Sequence, residues 1–236
     1  MRALLFFGLL IMVVAVVPAR GQDGFVAQTG APLAYNVFDR NGRTFVNPAT
    51  DVAGTPFYKD NWQIATLVAA GNQRYDSIKI RLNLQSGEVH VLDPNNNELA
   101  LAKGYIKEVL WPAPIGGVHD TTRFQIGFPA VDLQDANFFY EVVTMGKIWL
   151  LHSVRKVIQQ QKDDLSGEIR REFRTYEDYY LFDGTTMQRV KKEKAFILAA
   201  LGDKRDKIGA YIDANKLKVR SVDDIKRIVD YYNTLP

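Results

Sequence analysis

The stretch Ser77-Ile78-Lys79-Ile80-Arg81-Leu82-Asn83-Leu84 alternates strictly between polar and apolar side chains. In an extended chain, successive side chains point to opposite faces. Ile78, Ile80, Leu82 and Leu84 therefore line one face, and Ser77, Lys79, Arg81 and Asn83 the other. The segment reads as a half-buried strand. Ser86-Gly87 follows as a tight hairpin turn, with the glycine supplying positive φ, and Glu88 to Leu92 returns with Val89 and Val91 inward. His90 then falls on the polar face.

Downstream, short apolar segments keep a period of two between turn residues. Asp93 to Asn97 is a turn, Leu99 and Leu101 mark a strand, Gly104 breaks it, and Tyr105 to Trp111 is the next strand. A loop from Pro112 to Asp120 precedes the alternating Phe124, Ile126 and Phe128. Phe138 to Thr144 and Ile148 to Val157 read as partners across Met145-Gly146-Lys147. The polar segment Gln159 to Gly167 forms the tip of a long hairpin that returns through Ile169, Arg171 and Phe173. Glu177 to Phe182 and Met187 to Val190 close the series across Asp183 to Thr186. The total is about eight to ten strands.

After Lys191 the period becomes 3.6. Lys192 to Leu201 and Lys204 to Asn215 read as helices, and Ser221 caps a third, with Asp224 approximating a capping box. Ile225, Ile228, Val229 and Tyr232 give that helix one apolar face. The expected fold is α+β: a curled antiparallel sheet, half-barrel or sandwich, followed by short C-terminal helices. Four regions follow. Residues 1–21 are a signal peptide, 22–61 an extended arm, 62–190 the antiparallel β domain, and 191–236 a helical segment packed on it.

The signal peptide is inferred from Arg2, the uncharged run Ala3 to Val17, and the small residues Ala19 and Gly21 before Gln22. Such a run is short for a membrane span, so export with cleavage before Gln22 is expected, leaving no transmembrane span in the mature chain. The chain of 236 residues has 30 basic against 27 acidic side chains, or +3. Removing Arg2 and Arg20 leaves 28 against 27, or +1. Clusters such as Arg170-Arg171 are interleaved with Glu168 and Glu172, so no nucleic-acid partner is expected. The absence of cysteine excludes disulfides, thiolate metal sites, cysteine nucleophiles and lipidated cysteine anchors.

The search for chemistry yields little. No nucleophile elbow, Walker A loop, dinucleotide fingerprint or metal-ligand spacing is present, so neither cofactor nor metal is expected. His152 shares a strand face with Ile148, Leu150 and Val154 and reads as a hydrogen-bonded core histidine. His119 with Asp120 is the one suggestive dyad, and it is the weak catalytic candidate. The distinctive feature is aromatic clustering, Phe138-Phe139-Tyr140 and then Tyr176, Tyr179, Tyr180 and Phe182. Tyr176, Tyr179 and Tyr180 are weak candidates for ligand binding. A packing role between sheet and helices is the competing reading, and the exposure of Tyr176 and Tyr179 discriminates between the two.

Thr55-Pro56-Phe57-Tyr58, Asn61-Trp62, Gly71, Tyr75, Ile78 to Asn83 and Val89-His90-Val91-Leu92 together resemble a family of uncharacterised exported proteins of Gram-negative bacteria. Leu201-Gly202-Asp203-Lys204 through Tyr211-Ile212 to Tyr231-Tyr232-Asn233 is similar to their tails. The resemblance implies export and a β-rich body with a helical tail, and brings no catalytic residues. The expected function is therefore an exported soluble protein of the cell envelope, periplasmic or secreted, that binds an envelope protein, lipid or glycan. The alternative is an envelope hydrolase using scattered carboxylates or the His119-Asp120 loop.

Overall fold

The computed structural model describes residues 25–26, 32–33, 52–112, 121–162 and 169–236. The expected signal peptide, most of the arm, the hairpin tip at 163–168 and the His119-Asp120 dyad lie outside the described residues.

Strands β1 (Phe25–Val26) and β2 (Pro32–Leu33) pair with each other. The main sheet contains β3 (Gln63–Ala69), β4 (Arg74–Asn83), β5 (Glu88–Leu92), β6 (Glu98–Ala100), β7 (Ile106–Pro112), β8 (Thr121–Gln125), β9 (Tyr140–Thr144), β10 (Trp149–Lys162), β11 (Ile169–Phe182) and β12 (Met187–Arg189). All ten pair antiparallel in the order β12-β11-β10-β9-β8-β7-β3-β4-β5-β6. Two meanders thus meet where β7 returns to the free edge of β3. The segments read separately as Ile169 to Phe173 and Glu177 to Phe182 are one strand, paired with β10 along its whole length from Lys162↔Ile169 to Trp149↔Phe182.

The sheet is open but strongly curled. The Lys156 amide of β10 donates to the carbonyl of Leu84, just past β4, at 3.3 Å, although β9, β8, β7 and β3 separate the two strands in the ladder. A strap, residues 52–58, spans the remaining gap. Ala53 exchanges backbone bonds with Arg171 and Phe173 on β11, while Pro56 and Tyr58 bond to Leu84 and Leu82. The Lys156 ammonium donates to the Phe57 carbonyl at 2.7 Å. Tyr75, Leu67, Ile80, Leu82, Val109 and Phe124 fill the interior and are at most 1% exposed. Each such side chain contributes roughly 1.5–3 kcal/mol by burial. Tyr75 and Ile78 both point inward despite a spacing of three. A β-bulge, with Ser77 at φ 61°, absorbs the extra residue.

Helices α1 (Lys194–Ala200), α2 (Arg205–Ala214) and α3 (Val222–Thr234), with a 3₁₀ turn at Gly202–Lys204, form a second core on Ile148, Leu150 and Leu181 of the sheet. Ser221 Oγ accepts from the Asp224 amide at 3.1 Å, as the capping pattern predicts. The reciprocal half of the box is absent. Asp224 Oδ2 instead accepts from the Lys218 and Val219 amides, which holds a turn in which Val219 has φ 57°. Asn233 docks α3 by accepting from the Ile148 amide at 3.0 Å and donating to its carbonyl at 2.8 Å. A Cβ on Gly146 would lie 2.3 Å from the Asn233 side chain, so this contact requires glycine.

Candidate functional site

One row of side chains crosses seven strands on the inner face: Tyr75, Leu67, Val109, Phe124, Glu141, His152 and Tyr179. The row is apolar inside the curl and turns polar where the sheet passes from the inner core to the helices. His152 Nδ1 lies 2.8 Å from Glu141 Oε2, and the imidazole stacks on Tyr179 at 4.3 Å with planes 2° apart. Glu177 Oε2 stands 3.5 Å from Nε2, within ion-pair range but without a hydrogen bond. Burial, followed by the charge of Glu141 and Glu177, pushes Tyr58 up to about 12. Burial, Glu177, Glu141 and Asp223 do the same for Tyr179, also to about 12. The hydrogen-bonded role read for His152 is what the geometry displays. Its two nitrogens face different carboxylates from opposite ring edges, so the three groups do not converge on one point. Among the described residues, no group of three or more His, Asp or Glu could hold a metal ion.

The three tyrosines of the sequence cluster are separated. Tyr179 faces the helices and is half-buried. Tyr180 faces the opposite side of the sheet and is fully buried in an aromatic layer with Phe128, Tyr140 and Leu151. Its hydroxyl donates to Asp132 Oδ2 at 2.7 Å. Tyr176 shares the face of Tyr180 but lies farther along the hairpin, 45% exposed, with the Arg155 guanidinium 5.8 Å from its ring centre. No single surface collects them.

His90 corrects the polar-face expectation in its consequence. It lies opposite Val89 and Val91, yet it is completely buried, because the strap sets Phe57 edge-on against it at 5.1 Å. His90 Nδ1 and the Arg81 guanidinium meet on the Glu98 carboxylate at 2.6 and 2.7 Å. Burial alone would raise Glu98, but these two partners hold it below its ordinary value. Arg81 lies between Phe57, at 3.9 Å, and Trp62, at 4.4 Å. This cluster is a clamp that fastens the strap to the outer face of β4 to β6.

At the mouth of the curl, four stretches distant in sequence, 82–87, Lys103, 133–139 and Val154, enclose a cavity of about 160 Å³ that is open on one side. Leu82, Leu84, Phe138, Phe139 and Val154 supply apolar lining, and Asn83, Lys103, Asp135 and Asn137 polar lining. The turn Val131 to Gln134 closes through reciprocal backbone bonds of 3.1 and 3.0 Å. It throws Leu133 outward, 87% exposed, and drives Gln134 inward, 4% exposed. Gln134 Nε2 donates to the buried Ser153 Oγ at 3.4 Å. Gln134 Oε1 and Ser86 Oγ, both belonging to residues of the cavity wall, are buried without hydrogen-bond partners. Sequence reading missed Gln134 and Ser86. The available signal was a polar connection, 127–138, that nevertheless carries Phe128, Val131 and Leu133, more apolar bulk than a solvated loop needs.

No family model, curated protein or solved structure matches this chain.

Proposed function

We propose that the protein is an exported binding protein of the cell envelope whose ligand seat is the cavity at the mouth of the curl. The cavity itself carries this reading: a recess of about 160 Å³, open on one side, in which Leu82, Leu84, Phe138, Phe139 and Val154 stand beside the polar Asn83, Lys103, Asp135 and Asn137. The interior of the curl is occupied by Tyr75, Leu67 and Phe124, so the ligand belongs at the end of the sheet rather than threaded through a half-barrel. Export rests on the basic and apolar leader with small residues before Gln22, together with the resemblance to exported proteins of Gram-negative bacteria. Periplasm or the cell exterior is then the expected location. No helix among the described residues is long and apolar enough to cross a membrane.

One observation favours a hydrolase instead. Glu141 holds His152 through Nδ1, as an orienting carboxylate holds a general base. The binding reading is preferred because Nε2 is buried against Glu177 and the ring face is covered by Tyr179. Purification from the envelope of the producing cells tests the proposal, with N-terminal sequencing and mass spectrometry of a solvent extract. A chain beginning at Gln22 with a reproducible, near-stoichiometric small molecule is expected. A chain beginning at Met1 in the cytosolic fraction, with no bound compound, would overturn it.

A further inference from the structure

We propose that the open edge of β11 is a docking slot for a short extended segment of another protein, one that carries a basic, an aromatic, a β-branched and an acidic residue in that order. Strand β11 pairs with β10 along its whole length, but its other edge is only partly covered. β12 begins opposite Tyr180, and the strap meets the strand at Glu172 through Ala53. Among the described residues, nothing pairs with Arg174 to Asp178 on this side. The bonds at either end show which backbone groups point there. The Phe173 amide donates to the Ala53 carbonyl at 3.0 Å, and the Tyr179 carbonyl accepts from the Val190 amide at 2.7 Å. Residues of a strand bond alternately to one side and the other, so the N–H and C=O groups of Thr175 and Glu177 also face the slot. Thr175, Tyr176 and Glu177 are exposed.

The length of the slot and its two ends choose the occupant. Arg174 to Asp178 span about 17 Å of strand, and the strap and β12 close the ends, which keeps out a long strand. A second copy of this chain is kept out by the same ends. Pairing β11 with itself about Tyr176 sets Glu172 of one strand opposite Tyr180 of the other, so the strap of one copy and β12 of its partner would claim the same space. A short segment that enters and leaves by turns does fit. Its backbone satisfies the groups of Thr175 and Glu177, which is how peptides are recognised at a free sheet edge.

Side chains then order the segment. Laid antiparallel, its central residue lies beside Tyr176, which is 45% exposed, and an aromatic ring suits that place. The residue before it lies opposite Glu177 and is basic, and the one after it lies opposite Thr175 and is β-branched. The last lies opposite Arg174 and is acidic. Glu177 beside His152 and Arg174 beside Glu172 each keep 54% of the side chain exposed, which leaves room for the second partner. Asp178 is already held by Arg155 and Arg189, so the first residue of the segment is small.

The test uses the full mature chain and the end-capped peptide Ser-Lys-Phe-Val-Glu, followed by NMR. In the free protein the Thr175 and Glu177 amides should exchange with water as open groups, while those of Arg174 and Tyr176, which face β10, are protected. The peptide is expected to shift the amides of residues 174–178 saturably and to slow exchange at Thr175 and Glu177 by about tenfold. Methylating the Lys and Val nitrogens of the peptide, the two that face β11, should abolish binding with the protein unchanged. Thr175→Pro, a substitution an edge strand tolerates, should abolish it from the other side. The charge-swapped peptide Ser-Glu-Phe-Val-Lys should bind about fivefold more weakly. Equal binding of the methylated peptide, no shift with the parent peptide at millimolar concentration, or protected Thr175 and Glu177 amides in the free protein would overturn the slot. Equal binding of the charge-swapped peptide would overturn the chemistry assigned to the partner. A dimer that Thr175→Pro converts to a monomer would overturn the proposal in favour of a second copy.

Discussion

Replacing Phe57 by Ala removes the ring that fastens the strap. Phe57 is 4% exposed, packs edge-on against the fully buried His90 and lies 3.9 Å from the Arg81 guanidinium. Truncating a buried phenylalanine costs about 3–5 kcal/mol when the surroundings relax only partly. The Arg81 contact adds roughly 0.5–1 kcal/mol, and its loss leaves the guanidinium covered only by Trp62. Partial collapse of the half-buried Trp62 toward the space argues for the lower part of the range, so the expectation is about 4 kcal/mol. With a urea slope of about 3 kcal/mol/M, the unfolding midpoint falls by roughly 1.3 M. Equilibrium urea unfolding followed by tryptophan fluorescence and far-UV circular dichroism measures it. The strap also bonds to Leu84 on the cavity wall, so the variant should bind cavity ligands more weakly even in the folded state. A midpoint shift below about 0.3 M would refute the reasoning, because it would mean that residues 52–58 are not integral to the folded sheet.

Glu141→Ala leaves the His152 Nδ1 side without its carboxylate and should cost about 1–3 kcal/mol, with no change in ligand binding at the cavity. Differential scanning calorimetry should record a Tm lowered by roughly 2–12 °C, at about 2–4 °C per kcal/mol for a chain of this size. Gly146→Ala displaces the Asn233 amide from both Ile148 bonds, and hydrogen exchange should show α3 protection falling before that of β3 to β8. Tyr58 and Tyr179 are held near 12, above the ordinary value of 10, so their protonated forms favour the folded state. That contribution is complete below pH 10 and is lost as pH rises through 12. The double variant Tyr58→Phe with Tyr179→Phe should therefore flatten the decline of stability in that window. Ser221→Ala removes the cap of α3 and should cost about 1 kcal/mol, read from urea unfolding.

Much of the sheet was legible because its strands are local statements about side-chain period. Ile78 to Leu84 and the turns at Ser86-Gly87 and Asp93 to Asn97 sit where the alternation puts them, and Ser221 marks the start of α3. Even the bulge was encoded, in the spacing of three between the inward Tyr75 and Ile78. What the pattern hides is non-local. The strap looks like an arm rich in turn residues, because its backbone partners Leu82, Leu84 and Arg171 are brought to it only by the curl. His90 alternates as a solvent-facing residue and is buried by Phe57, which is distant along the chain. The cavity draws on 82–87, Lys103, 133–139 and Val154, so no single window of sequence contains it. Clustering in sequence misled in the opposite direction. Tyr179 and Tyr180 are neighbours, but the strand period sends them to different faces and different cores.

If the protein is the binding protein proposed, the cavity beside Gln134 holds a small molecule when the protein is made in its own cells. Native mass spectrometry of protein purified from those cells, with wild type set beside Ser86→Leu, provides the test, since Ser86 lines the cavity and a leucine there adds bulk to its wall. A discrete added mass is expected on the wild type and not on a folded Ser86→Leu variant. The same added mass on both proteins, or none on the wild type, would contradict it.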